Sequence, residues 1–226
     1  MRSEQTRRTD GIHSVVRRQL FGPPVFRRTG QICWRGLVDF DLPPALRGST
    51  VEMWAAHTRI GVSDVGHGKA YWFLVTNATA RPPNTTLVDI VSGFAPIAGR
   101  LIRETPPEAI VEVELEDLPP RLPWACGRVC LVGDAAHPMT PNMGQGGGQA
   151  VEDAFWLGQA LANDHDVEKS FETFQRQRFP KVRSIVDRSY WLGAFIHAGW
   201  PRLRDLLFGA MPAWAAARSM DSVYRL

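Results

Sequence analysis

The sequence has 226 residues, enough for one large domain or two small ones with a real hydrophobic core. Its 44% apolar and 22% charged residues exclude wholesale disorder, and a formal charge of only +3 excludes a chain-wide basic field for nucleic acid. The positive surplus is local: the first 28 residues hold seven arginines against Glu4 and Asp10, and the remainder is slightly acidic.

Residues 1–9 have no apolar residue after Met1 and are expected to be a disordered start. No secretory apolar region follows Met1. From Ile12 onward, Val15, Val16 and Leu20 have helical spacing, which stops before Gly22-Pro23-Pro24. Strand-like runs follow at 30–40, 51–56, 58–62 and 70–77, the last (AYWFLVTN) being the richest in aromatic and branched side chains. Turn chemistry at 63–68 (SDVGHG) separates two of them, so a largely antiparallel sheet is expected. Short helices are expected at 86–94 and 96–103, and alternation at 108–115 suits a further strand.

Three prolines near 120 then break the chain, and Arg128-Val-Cys-Leu-Val132 has the composition of a buried strand. Val151, Ala154, Phe155, Gly158, Leu161 and Ala162 mark one apolar face of a helix. Another helix starts near Asp166, with Glu172 and Arg176 spaced for an ion pair and Pro180 expected to kink it. The tail from Trp200 is helical and apolar, but its longest apolar run (206–217) is broken by Gly209 and Pro212. A membrane span needs about 18–20 such residues, so no transmembrane segment is expected. Three cysteines (Cys33, Cys126, Cys130) suit a reducing compartment, and a cytoplasmic protein is expected.

Chemistry concentrates in residues 127–153, GRVCLVGDAAHPMTPNMGQGGGQAVED. Asp134 stands just beyond the carboxyl end of a strand, where α/β folds place ligand-binding groups, and a carboxylate there accepts hydrogen bonds from sugar hydroxyls. The loop from Pro138 to Gly148 leads into a helix, exposing backbone N–H groups at a positive dipole end. It is neither a dinucleotide fingerprint, because Gln149 stands where the third glycine belongs, nor a Walker loop. By these residues alone, a ligand site and a structural turn stand level.

The segment closely resembles the GD motif of single-component FAD-dependent aromatic monooxygenases, the para-hydroxybenzoate hydroxylase-like family with its salicylate hydroxylase-like, urate hydroxylase-like and zeaxanthin epoxidase-like members. The family run GRV-x-L-x-GDAAH-x-x-x-P-x-x-GQG-x-x-x-A-x-ED-A is met here. Asp10-Gly11-Ile12-His13-Ser14-Val15-Val16-Arg17 resembles the family's DG motif, associated with FAD and NAD(P)H. Trp34-Arg35-Gly36, Tyr71-Trp72-Phe73 and Arg103-Glu104-Thr105-Pro106 match between them.

The resemblance implies an α/β (α+β) fold: a partial FAD-binding Rossmann-like domain with an inserted, largely antiparallel substrate-domain sheet and C-terminal helices. Residues 10–28 and 119–195 would belong to the FAD-binding domain, 29–118 to the substrate sheet and 196–226 to a helical extension. Its cofactor residues would be Gly133, Asp134, Pro141, Gly144, Gln145, Gly146 and Gly147, with Asp10 and Arg17 from the DG motif. Asp134 would bind the ribityl hydroxyls, and Gly146 and Gly147 would meet the N1/O2 side of the isoalloxazine. NAD(P)H would reduce FAD, and O2 would add to form a flavin C4a-hydroperoxide that passes one oxygen atom to an aromatic or olefinic substrate. The family's opening strand, G-x-G-x-x-G turn and ribose-binding acid have no counterpart here, so an N-terminally shortened enzyme is expected. The second reading is a non-catalytic association module, and a homodimer is compatible with either.

Other residues carry plainer expectations. Trp34 and Trp72 are core or pocket aromatics, and Arg35 orients an anionic substrate or pairs with a local acid. His137 belongs to the loop structurally. The histidines lack ligand spacing, so no metal is expected. No catalytic acid or base is assigned.

Overall fold

The computed structural model describes residues 10–81, 83–210 and 212. The expectations placed on residues 1–9 and on most of the tail beyond Ala210 lie outside these. In chain order the elements begin with α1 (Val15–Phe21), β1 (Arg27–Asp39), β2 (Thr50–Trp54), β3 (Thr58–Asp64) and β4 (Lys69–Asn77). Next come α2 (Leu87–Ile90), α3 (Pro96–Glu104), β5 (Val111–Asp117), β6 (Ala125–Cys126) and β7 (Val129–Cys130). The last are α4 (Gly146–Asn163), α5 (Val167–Ile196) and α6 (Pro201–Gly209). The mixed helix-and-sheet class expected from the sequence holds. The chain forms two compact units: residues 10–27 with Glu116–Gly193, and Arg28–Leu115 with Ala194–Ala210.

In the sheet unit the strand order is β2-β3-β4-β1-β5, with β2–β3, β3–β4 and β4–β1 antiparallel. Side chains alternate across a strand, so Trp34 and Val38 of β1 share one face with Trp72 and Leu74 of β4. Val91, Ala98, Leu101 and Ile102, on and beside α2 and α3, cover that face and make the larger core. Trp72 is fully buried there, its indole N–H donating to Thr105 Oγ1 at 2.8 Å, and Trp34 donates to Glu112 at 2.7 Å. Both tryptophans are therefore core residues, because alternation turns them toward the helices. Arg35 lies on the opposite face, exposed.

The other unit packs Trp124, Leu131, Phe174, Val182 and Val186 together. Arg27 ends this unit's first segment in a two-pronged ion pair with the fully buried Asp117, both contacts 2.8 Å, and lies 3.8 Å from the centre of the Tyr190 ring. The geometry raises the Arg27 pKa, chiefly through the Asp117 hydrogen bond.

Three expectations are corrected here. Of the buried strand expected at 128–132, only Val129 and Cys130 pair, with Ala125–Cys126, and Val129 and Val132 stay exposed. The α4 face carrying Val151 and Phe155 points outward, while Gln149, Asp153 and Ala160 are buried. Charged partners on α5 draw that polar side inward, as described below. The helix of α5 runs on through Pro180 as a single 30-residue element. Glu172 and Arg176 are both exposed and form no ion pair with each other, as expected of a solvated surface pair with little to gain.

Candidate functional site

The loop after β7 is set by two glycines that adopt left-handed backbone. Gly133 (φ +55°) turns the chain out of the extended Val132, and Gly144 (φ +62°) closes the 3-10 turn Pro141–Met143. Such φ values strain any residue with a Cβ. A Cβ at Gly133 would also lie 3.1 Å from that of Ala150, so loop and α4 approach closely.

Buried charge holds this loop to its helices. Asp153, fully buried on α4, accepts from the Gly133 N–H at 2.8 Å and from Arg178 Nε at 2.8 Å, and its Oδ2 lies 2.6 Å from His137 Nε2. Burial alone would raise the Asp153 pKa, but the bonds from His137, Arg178 and Gly133 outweigh it and hold the carboxyl below its usual range. Glu152 takes Arg178 Nη1 at 2.6 Å and Lys181 Nζ at 2.8 Å, and Arg178 Nη2 also reaches Gln149 Oε1 at 2.7 Å. His137 is thus a structural residue of the loop. Arg178 gives no sequence signal of its own: it stands 25 residues beyond Asp153 on another helix. The Cys130 thiol is pushed up to about 12 by burial and by Asp153, which leaves it unreactive at neutral pH.

A second clamp fixes residues 140–143. Thr140 and Ser189 are buried with their hydroxyls 2.8 Å apart, and Ser189 Oγ also donates to the Thr140 carbonyl at 2.7 Å. Asn142 Nδ2 donates to Thr140 Oγ1 at 3.0 Å and to the Ser189 carbonyl at 2.9 Å. A Cβ at 193 would overlap the Asn142 side-chain amide, so glycine there leaves that amide its seat. Gly193→Ala is expected to eject the Asn142 amide and cost about 1–3 kcal/mol, read as a lower denaturation midpoint. An unchanged midpoint would show that the amide has an equivalent seat elsewhere.

The DG segment joins the same loop. Asp10 accepts from Ser14 Oγ at 2.7 Å and from the Val15 N–H at 2.8 Å, ordering the start of α1. The Ser14 bond is the main cause of a lowered Asp10 pKa. Arg17 is buried, and its Nη1 donates to the carbonyls of Ala135 at 2.7 Å and Asp134 at 3.4 Å while Nη2 donates to that of Ile12. Its guanidinium therefore ties the two motif segments together.

Between them lies an open cleft of about 560 Å³, lined by Asp10, Gly11, Val16, residues 129–135, Gly146, Gly147 and Ala150. That volume is in the range of small-molecule sites. Asp134 is exposed, and no hydrogen bond or ion pair engages its carboxylate among the described residues. Opposite it, α4 begins at Gly146 without a side-chain cap, presenting first-turn N–H groups and the positive end of an 18-residue helix. A Cβ on Gly146 would lie 3.8 Å from Asp134 Oδ1, an ordinary contact distance that puts the helix start beside the carboxylate. Of the expected cofactor residues, Asp10, Gly133, Asp134, Gly146 and Gly147 line this cleft. Pro141, Gly144 and Gln145 are outside its lining and shape the turn into α4, with Gln145 at the helix start. Arg17 is likewise outside the lining and acts on the backbone around it. The three residues expected to meet substrate, Trp34, Arg35 and Trp72, belong to the other unit.

A free carboxylate faces an uncapped, glycine-rich helix start in a mixed α/β setting, an arrangement suited to a ligand that carries hydroxyl groups. The family model described as an FAD binding domain matches residues 9–189. The chain belongs to that FAD-binding family, and its relatives include a monooxygenase/isomerase and an FAD-dependent hydroxylase. It is 39% identical over 193 residues to aurachin C monooxygenase/isomerase of Stigmatella aurantiaca, covering 81% of this chain and 49% of the relative. It is 32% identical to the FAD-dependent urate hydroxylase of Klebsiella pneumoniae, covering 78% and 48%. The solved structure of Klebsiella pneumoniae HpxO complexed with FAD and uric acid superposes with a TM-score of 0.80 at 28% identity, over 95% of this chain and 57% of that one. The chain thus spans about half the length of these relatives. Among the described residues, no helix is long and apolar enough to cross a membrane.

Proposed function

We propose that the chain binds the flavin and ribityl part of FAD in this cleft and serves an NAD(P)H- and O2-dependent monooxygenase of small aromatic or olefinic substrates. The free Asp134 carboxylate across from the uncapped start of α4 carries this reading. The residues present fit the group: Asp134 offers acceptor oxygens for ribityl hydroxyls, and Gly146 and Gly147 offer N–H groups without side chains in the way. When bound, FAD would supply the redox chemistry, hydride acceptance from NAD(P)H and delivery of one oxygen atom from O2.

The chain's own residues bind and orient. The α4 dipole favours negative charge beside its N-terminus, worth of order 0.3–1 kcal/mol. Arg17, Asp153 and the Asn142 clamp are positioning residues that set the backbone rather than touch the cofactor. Of the substrate candidates, Arg35 alone stays exposed, and it is the one proposed to orient an anionic substrate.

Titrating the purified chain with FAD, followed by flavin absorbance and fluorescence, tests this directly. Asp134→Ala is expected to weaken FAD binding about 10-fold or more, the loss of hydrogen bonds to a charged acceptor. Because that carboxylate supports nothing in the fold, stability should move by less than about 0.5 kcal/mol. Equal FAD affinity in the two proteins would defeat the assignment of Asp134. Wild-type chain that takes up no FAD would defeat the whole reading.

A further inference from the structure

Two polar atoms inside the unit that carries the cleft have no hydrogen-bond partner among the described residues: Trp124 Nε1 and His137 Nδ1. Both residues are 1% exposed, so bulk solvent meets neither atom. Their rings are neighbours, with centroids 5.1 Å apart and planes tilted by 51°. Neither ring is free to turn away. The Trp124 carbonyl accepts from the Leu131 N–H at 2.8 Å, its backbone N–H donates to Gln175 Oε1, and its ring packs against Phe174 and Phe179. His137 is held by Asp153 Oδ2, 2.6 Å from its Nε2, and its backbone N–H donates to the Gly133 carbonyl at 2.9 Å. Leaving a buried donor and a buried acceptor unmet is costly, and native interiors meet such needs with ordered water.

Chemistry fixes which atom gives and which takes. An indole N–H only donates. Asp153 is kept ionised by its donors and its oxygens only accept, so His137 Nε2 carries the ring proton. Charge decides Nδ1. Asp153 and Glu152 face Arg178 and Lys181, two negative groups against two positive, and a second proton on His137 would leave an unbalanced charge in a buried cluster. The ring is therefore neutral, and Nδ1 offers a lone pair. We propose that one internal water joins the two rings, accepting from the Trp124 indole N–H and donating to His137 Nδ1. The occupant must accept on one side and donate on the other, which a metal cation cannot do, and the Asp153 carboxylate on the same imidazole disfavours an anion. Hydrogen bonds of ordinary length to one water span nitrogens roughly 4.5–5.5 Å apart, the scale of the ring spacing. The chain then runs from Trp124 through the water, His137 and Asp153 to the Gly133 N–H, so Trp124 is a positioning residue for the turn that presents Asp134. Trp124, His137 and Asp153 line no part of the cleft, so the water stands whether or not FAD binds there.

Nuclear magnetic resonance of the isotope-labelled chain, without added FAD, tests this. The Trp124 indole N–H, assigned through its own ring protons, should show cross-relaxation to a long-lived water. His137 should show one protonated and one unprotonated ring nitrogen at neutral pH. These wild-type readings stand by themselves should a variant fail to fold. Trp124→Phe keeps an aromatic ring and removes the donor, leaving the water with fewer than the two partners it needs, so its signal at His137 should be lost. Exchange of the Gly133 amide is then expected to quicken about 3–10-fold, the loss of one hydrogen bond's support. The Val186 amide, in the same core, should be unchanged, which a general loss of stability would not give. An indole N–H with no water contact, a direct indole–imidazole hydrogen bond or a doubly protonated His137 would each overturn the proposal. So would equal Gly133 exchange in the two proteins.

Discussion

Asp153→Asn is expected to cost about 3–5 kcal/mol, the penalty of removing one partner from a buried charge network. The carboxylate receives the Gly133 N–H and Arg178 Nε and contacts His137 Nε2, with no access to water. An asparagine offers one acceptor oxygen, and its NH2 must face a group that is itself a donor. The arginine would keep Glu152 and Gln149, so the damage falls on the Gly133 turn and the His137 contact. Urea unfolding at pH 7 should show a midpoint lower by about 1–2 M. A midpoint within error of wild type would mean that Glu152 carries the network alone.

The same residue predicts a pH dependence. Its native pKa lies below the unfolded value of about 3.9, so its contribution is complete above that value and is lost as pH falls through the native one. Wild-type stability should therefore decline on acidification below about pH 4, and Asp153→Asn should flatten that part of the curve. An equal acid slope in the two proteins would show that other carboxylates dominate.

Local signals made much of this fold legible. The aromatic and branched run 70–77 became β4 almost residue for residue, and the helical spacing from Val15 to Leu20 became α1, closed by Gly22. Residues 127–153 located the cleft because loop, strand end and helix start are contiguous in sequence. Hydrophobic periodicity failed where charge decided burial. It placed Val151 and Phe155 inward, but Arg178 and Lys181 stand on α5 and draw Gln149, Glu152 and Asp153 to that side. Partners 25 or more residues away on another helix leave no periodic trace. Periodicity also fails to say which sheet face is covered: Trp34 and Arg35 are neighbours, and only the packing of α2 and α3 separates core from surface.

Arg17→Met should have the larger effect on the cofactor site itself. Arg17 spans the DG and GD segments, donating to Ile12 on one side and to Ala135 and Asp134 on the other, all through backbone carbonyls. Methionine keeps an apolar stem but leaves these carbonyls with no donor from the side chain, at about 1–3 kcal/mol for the buried Ala135 acceptor and less for the part-buried other two. The consequence reaches Asp134 directly, since its own carbonyl is one of the three. FAD affinity is therefore expected to fall about 10-fold or more even though Arg17 lines no part of the cleft. Arg17→Lys separates charge from geometry. Burial already lowers the Arg17 pKa, with Asp10 opposing, so the site tolerates a cation at some cost. An ammonium is a point donor and cannot reproduce the planar fork that reaches both segments. Affinity should then rank wild type, lysine, methionine, with the lysine protein nearer to methionine. If lysine matched wild type, a positive charge near the loop would suffice. If methionine matched it too, the two segments must be held together by the Asp10–Ser14 cap and the apolar packing of Val16 alone.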